Sequence, residues 1–191
     1  MSDRSARRFL PPVFVASSGE GLRIGASDLE VGILLRDLDL MTLIGVTETG
    51  SEGIAVDLDS VDGLNADDAG ARFVIGRLGV RVIVTRRPAL AALVADAGQV
   101  GLVHVLAFDS TGLTRALESH LARDGVGTVI SPGPVLSHLT PDYLERLPRP
   151  IVAYGLIDTA ERARQLLTIA DSVVVGPDCA RALAEGVRDL R

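Results

Sequence analysis

The sequence predicts an α/β fold, namely a compact TIM-like (β/α)8 barrel in a single domain with some helices short or missing. Short apolar runs rich in β-branched residues alternate with longer segments of helical period, which is typical of repeated βα units. Small or acidic residues follow the apolar runs, as expected for loops at one end of a parallel barrel. A doubly wound open sheet shares this rhythm, but no glycine-rich dinucleotide fingerprint follows the first strand, which favours the barrel.

Eight apolar runs are predicted as parallel strands because each is short and ends at turn-forming or charged residues. In chain order, they are Val13–Ala16, Gly32–Leu35, Ile54–Leu58, Arg81–Thr85, Gly101–Phe108, Thr128–Ser131, Pro150–Tyr154 and Ser172–Gly176.

Five segments between the strands are predicted as helices because their apolar residues recur at spacings of three and four. They are Ala66–Leu78, Pro88–Ala97, Thr111–Arg123, Thr159–Ala170 and Pro177–Leu190. Pro88 and Pro177 stand where the first helical turn tolerates proline. A barrel of this type usually needs about 250 residues, so the helices after the first, second and sixth strands are expected to be short or missing.

The chain length supports one hydrophobic core. With 191 residues, of which 47% are hydrophobic and 23% charged, the chain is too short for two ordinary domains. We expect an N-terminal arm over residues 1–10 and the barrel domain over residues 11–191. Arg4, Arg7 and Arg8 make the arm basic; such an arm either contacts RNA or, more commonly, is a solvated terminus.

The basic residues restrict the chemistry that this chain can perform. All 19 are arginines and none is lysine, which excludes Schiff-base enzymes, pyridoxal-phosphate enzymes and nucleotide binding through a P-loop lysine. No cofactor is predicted. The net charge of −6 provides no broad positive field for nucleic acid or an anionic membrane, so any phosphate must be bound by a local site.

The cysteine and hydropathy patterns predict a cytoplasmic protein. Cys179 is the single cysteine, so no internal disulfide can form. No run of about 18 apolar residues is available to cross a bilayer. The start of the chain faintly resembles a signal peptide, but Pro11 and Pro12 interrupt its short apolar stretch.

Charged residues follow the third predicted strand. Asp57 and Asp59 flank Leu58, so both side chains are expected on the same face if the strand alternation continues. Two such carboxylates could take a hard cation or accept hydrogen bonds from a hydroxylated ligand. Turn and N-cap chemistry explains the same aspartates equally well, so both interpretations stay open.

The loops after the seventh and eighth predicted strands are candidates for binding phosphate. Gly155 and Gly176 stand at these strand ends and precede helices, and barrels commonly bind phosphate there through backbone N–H groups. Pro177 lacks an N–H group, however, and Asp178 adds a negative charge, so the second half of this site is weakened.

The histidines do not form a metal site. His104 lies within an apolar strand and points either into the barrel mouth or, more commonly for such a residue, into the core or the outer layer. His120 and His138 lack metal-ligand spacing, and one cysteine completes no zinc set. No bound metal is predicted.

Six short motifs occur in order along most of the chain. They are Gly32–Leu35, Val56–Leu58 with Gly63 and Leu64, Val82–Arg86, Phe108–Ser110 before Leu113, Ser131–Gly133 and Pro150–Thr159. Each is weak alone, but in this order and spacing they resemble the glycerol-3-phosphate-responsive antiterminator family, regulators of glycerol uptake operons. The resemblance implies a TIM-barrel-like fold, a pocket for glycerol 3-phosphate and antitermination through binding of leader mRNA.

The resemblance also implies which residues contact the effector. The positions that match the family are Asp57, Thr85, Arg86, Asp109, Ser110, Gly133 and Gly155, and we add Gly176 from the loop after the eighth strand. At other polar positions this chain differs from the residue that is typical of the family. It has Ala55 where the family has His, His104 where the family has Arg, Val129 where the family has Glu, Tyr154 where the family has Gly, and Gly176-Pro177 where the family has a Thr-Ser pair. The replacements fall on the proposed pocket, so they affect the ligand expectation more than the fold.

Three functions remain open from the sequence. The first is a regulator without enzymatic activity that senses a small phosphoester and binds leader mRNA as an antiterminator of a glycerol uptake operon. The second is a divergent family member that has lost the ligand. The third is a small barrel enzyme acting on a phosphorylated metabolite, with an acid and a base drawn from Asp57, His104 and Asp109. The sequence does not fix the oligomeric state, so self-association stays open as well.

Overall fold

Eight parallel strands close into a barrel, which confirms the predicted fold class. The structure is a computed structural model, and it describes residues 10–18, 31–107, 114 and 125–188. The predicted arm at residues 1–10 therefore lies outside the described residues except for Leu10.

The strands, in chain order, are β1 Val13–Ser17, β2 Val31–Leu35, β3 Leu38–Asp39, β4 Ile54–Asp57, β5 Val61–Asp62, β6 Val82–Thr85, β7 Val100–Leu106, β8 Val126–Ser131, β9 Ile151–Tyr154 and β10 Ser172–Val175. The barrel order is β1-β2-β4-β6-β7-β8-β9-β10, and β10 pairs with β1 to close it. β3 and β5 form a separate small parallel sheet in which Leu38 pairs with Val61. Because the barrel strands run parallel, their carboxyl ends share one rim.

The helices are α1 Leu40–Glu48, α2 Asp68–Gly76, α3 Pro88–Asp96, α4 Pro141–Arg146, α5 Ala160–Leu167 and α6 Pro177–Arg188, with 3-10 turns at Leu58–Ser60 and Gly133–His138. Asp67 and Thr159 cap α2 and α5 by accepting hydrogen bonds from backbone N–H groups. Among the described residues, no helix is both long and apolar enough to cross a membrane.

The second βα unit differs from the sequence prediction of a weak helix. α1 has nine residues and begins directly after Asp39, whose carboxylate accepts hydrogen bonds from the Thr42 N–H at 2.9 Å and hydroxyl at 2.8 Å. This cap stabilises a helix whose glycine and β-branched residues disfavour it locally. The sixth unit is short as predicted, because α4 has only six residues. Residues 19–30, after the first strand, lie outside the described part.

The barrel lumen is filled with side chains. One buried cluster takes residues from all eight barrel strands, and it contains Phe14, Leu34, Ala55, Val82, Val84, Val100, Leu102, Val129, Val152 and Val174. Two larger clusters fill the space between the barrel and its helices. Since the lumen is packed, a ligand can bind only at the rim.

Candidate ligand-binding site

A cavity of about 430 Å³ opens at the carboxyl-terminal rim of the barrel. Its walls come from the ends of β2, β4, β6 and β7 and from the loops that follow the first three of these strands. The lining residues are Arg36, Asp37, Asp57, Asp59, Ser60, Asp62, Arg86, His104 and Leu106. Four carboxyl groups and two guanidinium groups therefore share one small space, so the cavity offers both hydrogen-bond acceptors and positively charged donors.

Asp59 organises the loop after β6. Its Oδ2 accepts hydrogen bonds from the Thr85 hydroxyl at 2.8 Å and from the Arg86 backbone N–H at 2.5 Å. The Arg87 Nε lies 3.6 Å from its other oxygen, and the Arg87 guanidinium donates to the carbonyl of Ala66. The side chain of Asp59 is only 6% exposed. Its carboxylate is thus committed to holding this loop rather than free to receive a ligand.

Ser60 links the loops after β2 and β4. Its hydroxyl donates to the carbonyl of Asp57 at 2.9 Å and accepts from the Asp37 backbone N–H at 3.1 Å. Asp37 has φ of +52°, a left-handed conformation that is unusual for a residue other than glycine. Its carboxylate accepts a hydrogen bond from the Nε of Arg36 at 2.7 Å. These contacts fix the direction in which the Arg36 side chain leaves β2.

Asp57 is the buried carboxyl group of the cavity. Its side chain lies at the end of β4, and the residue is 7% exposed. Burial raises the pKa of Asp57 to about 6; the charge of Asp59 also raises it, while the charges of Arg36 and Arg86 lower it. The carboxyl group is therefore mostly ionised at neutral pH and takes up a proton under mildly acidic conditions.

His104 faces the cavity, not the outer layer of the barrel. Burial, together with the positive charges of Arg36 and Arg86, lowers the pKa of His104 to about 4, so the imidazole is neutral at pH 7. The buried Nε2 has no hydrogen-bond partner among the described residues. The ring lies 5.5 Å from the ring of Tyr154, and the Arg36 guanidinium lies 5.3 Å from the same tyrosine ring.

The structure brings together only some of the residues that the sequence predicts for the ligand. Asp57 and Arg86 line the cavity, and Thr85 lies beneath it with its hydroxyl on Asp59. Asp109 and Ser110 lie outside the described residues. The expected strand alternation of Asp57 and Asp59 is wrong, because β4 ends at Asp57 and a 3-10 turn follows. Both aspartates nevertheless reach the cavity.

The three predicted glycines lie on the same rim but not among the cavity residues. The N–H of Gly133 donates to the carbonyl of Gly155 at 3.1 Å, so this donor is already used. Gly155 has φ of +77°, a conformation that favours glycine. Gly176 is exposed, and the residue after it is a proline without an N–H group.

Sequence reasoning missed Arg36 and Asp37. Both follow the second strand directly, so the rule that polar strand ends line the barrel mouth could have found them. No group of three or more His, Cys, Asp or Glu side chains within the described residues could hold a metal ion.

A family model described as glycerol-3-phosphate responsive antiterminator matches residues 23–176 of the sequence. This chain belongs to that family. The match covers most of the chain and includes every strand of the barrel except β1. No curated protein matches the sequence of this antiterminator-family chain.

Solved structures of glycerol uptake operon antiterminators share the fold of this antiterminator-family chain. The antiterminator-related protein from Thermotoga maritima has a TM-score of 0.68 and 22% identity, and the match covers 88% of this chain and 96% of that protein. The regulatory protein from Listeria monocytogenes has a TM-score of 0.71 and 16% identity, with coverages of 85% and 90%. Deoxyribose phosphate aldolase from Aeropyrum pernix has a TM-score of 0.57 and 14% identity over the full length of both chains. These structural likenesses concern the barrel fold.

Proposed function

We propose that this chain is a transcription antiterminator of a glycerol uptake operon, that it responds to glycerol 3-phosphate and that it binds leader mRNA in the cytoplasm. The family match over residues 23–176 carries this proposal. The rim cavity supports it, because small effectors of barrel proteins bind at this end of the strands.

The chemistry of the cavity suits a hydroxylated phosphoester. Glycerol 3-phosphate carries two hydroxyl groups and a phosphate. Asp57 can accept hydrogen bonds from hydroxyl groups, and guanidinium groups such as that of Arg86 bind phosphate through charge-assisted hydrogen bonds. We propose that the effector is surrounded by the predicted set, namely Asp57, Thr85, Arg86, Asp109, Ser110, Gly133, Gly155 and Gly176, in which Thr85 acts through Asp59.

Effector control requires two conformations that bind the effector with different affinity. In our proposal, the loops after β4 and β6 are the responsive part, since Asp59 joins them and Arg86 and Arg87 project from the second loop. Arg86 and Arg87 have 62% and 61% of their side chains exposed, and arginine both pairs with phosphate and stacks on unpaired bases. Effector binding thereby changes how these two side chains meet RNA.

We further propose that the barrel is a regulator and not an enzyme. The family is described by its response to glycerol 3-phosphate and not by a reaction. The chain contains no lysine, so the Schiff-base route that some barrel aldolases use is closed to it.

A gel-shift titration tests the proposed function. The operon's own leader RNA is titrated with the protein with and without millimolar glycerol 3-phosphate, and a scrambled RNA of equal length is the control. We expect leader RNA to bind more tightly than scrambled RNA and its affinity to change with the effector. Equal and weak binding to both RNAs would refute antitermination by RNA binding and leave a metabolite-binding or vestigial barrel.

A further inference from the structure

Two guanidinium groups converge on the cavity from the ends of β2 and β6, the two strands that flank β4 in the barrel. Arg36 follows β2 and Arg86 follows β6, and both line the cavity. Their positive charges act on the same two interior groups, because each lowers the pKa of Asp57 and of His104. The two side chains therefore approach one common space between them.

Both guanidinium groups keep hydrogen-bond donors for a ligand. Arg36 donates its Nε to Asp37 at 2.7 Å, which leaves the four N–H groups of its terminal nitrogens. The Nε of Arg86 lies 3.9 Å from the nearest oxygen of Asp59, too far for a hydrogen bond. The Arg36 side chain is 32% exposed and that of Arg86 is 62% exposed, so an anion can reach both from solvent.

Arg36 is held in place before any ligand arrives. Asp37 fixes its Nε, and the ring of Tyr154 supports the guanidinium plane at 5.3 Å in a cation–π contact. Tyr154 itself lies against His104. An arginine with two such supports loses less side-chain entropy when it binds an anion than a free surface arginine does.

The opposite side of the rim offers weaker support for an anion. The Gly133 N–H is bonded to Gly155, and Pro177 after Gly176 has no N–H group. Asp178 adds an exposed carboxylate that pairs with Arg181 at 3.2 Å. A phosphate on this side would therefore meet few backbone donors.

We propose that the phosphate of the effector is bound between Arg36 and Arg86, with Tyr154 as a positioning residue for Arg36. The inference rests on the proposed function, and it orients the effector so that its uncharged end points to Asp57 and to the glycine side of the rim. Arg36, which the sequence analysis did not single out, thereby becomes a ligand-binding residue, and Tyr154 becomes the residue that positions it.

Isothermal titration calorimetry with glycerol 3-phosphate and with inorganic phosphate tests this inference. The variants are Arg36→Gln, Arg86→Gln and Gly176→Asp, and Arg77→Gln is the matched control, since Arg77 is an exposed arginine between α2 and β6 at the other end of the barrel. A Cβ at Gly176 has nothing within 4 Å, so Gly176→Asp adds charge without a steric clash.

We expect Arg36→Gln and Arg86→Gln each to weaken binding of both probes by about tenfold or more, the usual loss for a charge-assisted hydrogen bond. Arg77→Gln should leave the affinity within about twofold, and Gly176→Asp should weaken binding much less than Arg36→Gln.

An unchanged affinity in Arg36→Gln with a large loss in Gly176→Asp would overturn the inference and leave the proposed effector in place. Binding of inorganic phosphate without binding of glycerol 3-phosphate would refute the proposed effector, while the arginine variants would still decide the inference. The absence of binding of either probe to the wild-type protein would overturn both.

Two tyrosine variants separate positioning from folding. Tyr154→Phe keeps the ring beside Arg36 and should bind the probes as the wild-type protein does, whereas Tyr154→Leu removes the ring and should weaken binding of both probes. Equal affinities in Tyr154→Phe and Tyr154→Leu, with both variants folded by circular dichroism, would show that Tyr154 does not position Arg36.

Discussion

Asp57 is a buried carboxyl group whose ionisation opposes folding. Its pKa rises from the ordinary value of 3.8 to about 6, so the neutral form is more favoured in the folded protein than in the unfolded chain. For a carboxyl group with a raised pKa, stability is fully present below pH 3.8 and is lost as the pH rises through about 6. Arg36, Arg86, Asp59 and His104 face this group, and burial outweighs the help of the two arginines.

Asp57→Asn should therefore stabilise the protein at neutral pH while weakening its response to the effector. We expect the gain in the free energy of unfolding to be about 2 kcal/mol larger at pH 7.5 than at pH 4.5, because only the wild-type residue ionises in this range. Urea unfolding of both proteins at the two pH values measures it. The same difference at both pH values would contradict a raised pKa at Asp57.

At the residue scale, the sequence predicts a site residue well when strand order alone places it. Asp57 ends β4 and Arg86 directly follows β6, so their position at one rim follows from the βα rhythm. Arg36 also directly follows a strand, but the position of its side chain depends on Tyr154, far away in sequence, and on the left-handed backbone of Asp37. Contacts of this kind depend on closure of the barrel, which periodicity does not describe.

Packing between α3 and β7 gives a prediction at the scale of elements. Gly101 lies in β7, where an added Cβ would stand 2.0 Å from the carbonyl oxygen of Ala91. Gly101→Ala must push α3 away from the barrel, and we expect a loss of about 3 kcal/mol in the free energy of unfolding. Gly45→Ala is the control, because an added Cβ within α1 meets nothing within 4 Å. It should gain about 0.5 kcal/mol or more through helix propensity.

Chemical denaturation of the two glycine variants checks this prediction. A loss in Gly101→Ala no larger than the change in Gly45→Ala would mean that α3 can move away from β7 at little cost. Ligand binding at the rim should be insensitive to Gly45→Ala, because the added methyl group lies at an exposed position of α1 and contacts nothing within 4 Å.

At the element scale, periodicity predicts the long repeated elements better than the short ones. The eight barrel strands and helices such as α3 and α5 lie within a few residues of their predicted positions. β3 and β5 were missed because two-residue strands show no period. α1 was undervalued because its N-cap bonds to Asp39 depend on side-chain geometry that composition does not show.

The charge of the whole molecule sets how it can bind RNA. A net charge of −6 repels the phosphate backbone, so binding must depend on a few arginines. If Arg86, Arg87 and one residue of the N-terminal arm contact RNA phosphates in the effector-free protein, the logarithm of the affinity should fall with the logarithm of the salt concentration with a slope of about −2. Filter binding of the leader RNA over a range of potassium chloride concentrations gives this slope.

A steep slope, of about −6 or beyond, would require far more phosphate contacts than this surface offers and would contradict the proposed mode of binding. Arg86→Gln should make the slope shallower by about 0.7, whereas Arg77→Gln should leave it unchanged.

The pairing of β1 with β10 has a consequence for how this protein is made. Val13 to Val15 pair with Val173 to Val175, and the Ser172 hydroxyl donates to the Pro11 carbonyl at 2.8 Å, so the first strand obtains its second neighbour only from the last. During translation, one edge of β1 therefore keeps its backbone N–H and carbonyl groups unpaired until nearly the whole chain has been synthesised. The packed lumen also needs residues from all eight strands. The barrel therefore closes only after β10 has been synthesised, and it cannot fold stepwise as the chain grows. A nascent chain stalled before β10 should therefore stay sensitive to protease and need a chaperone to protect its exposed valine-rich edge.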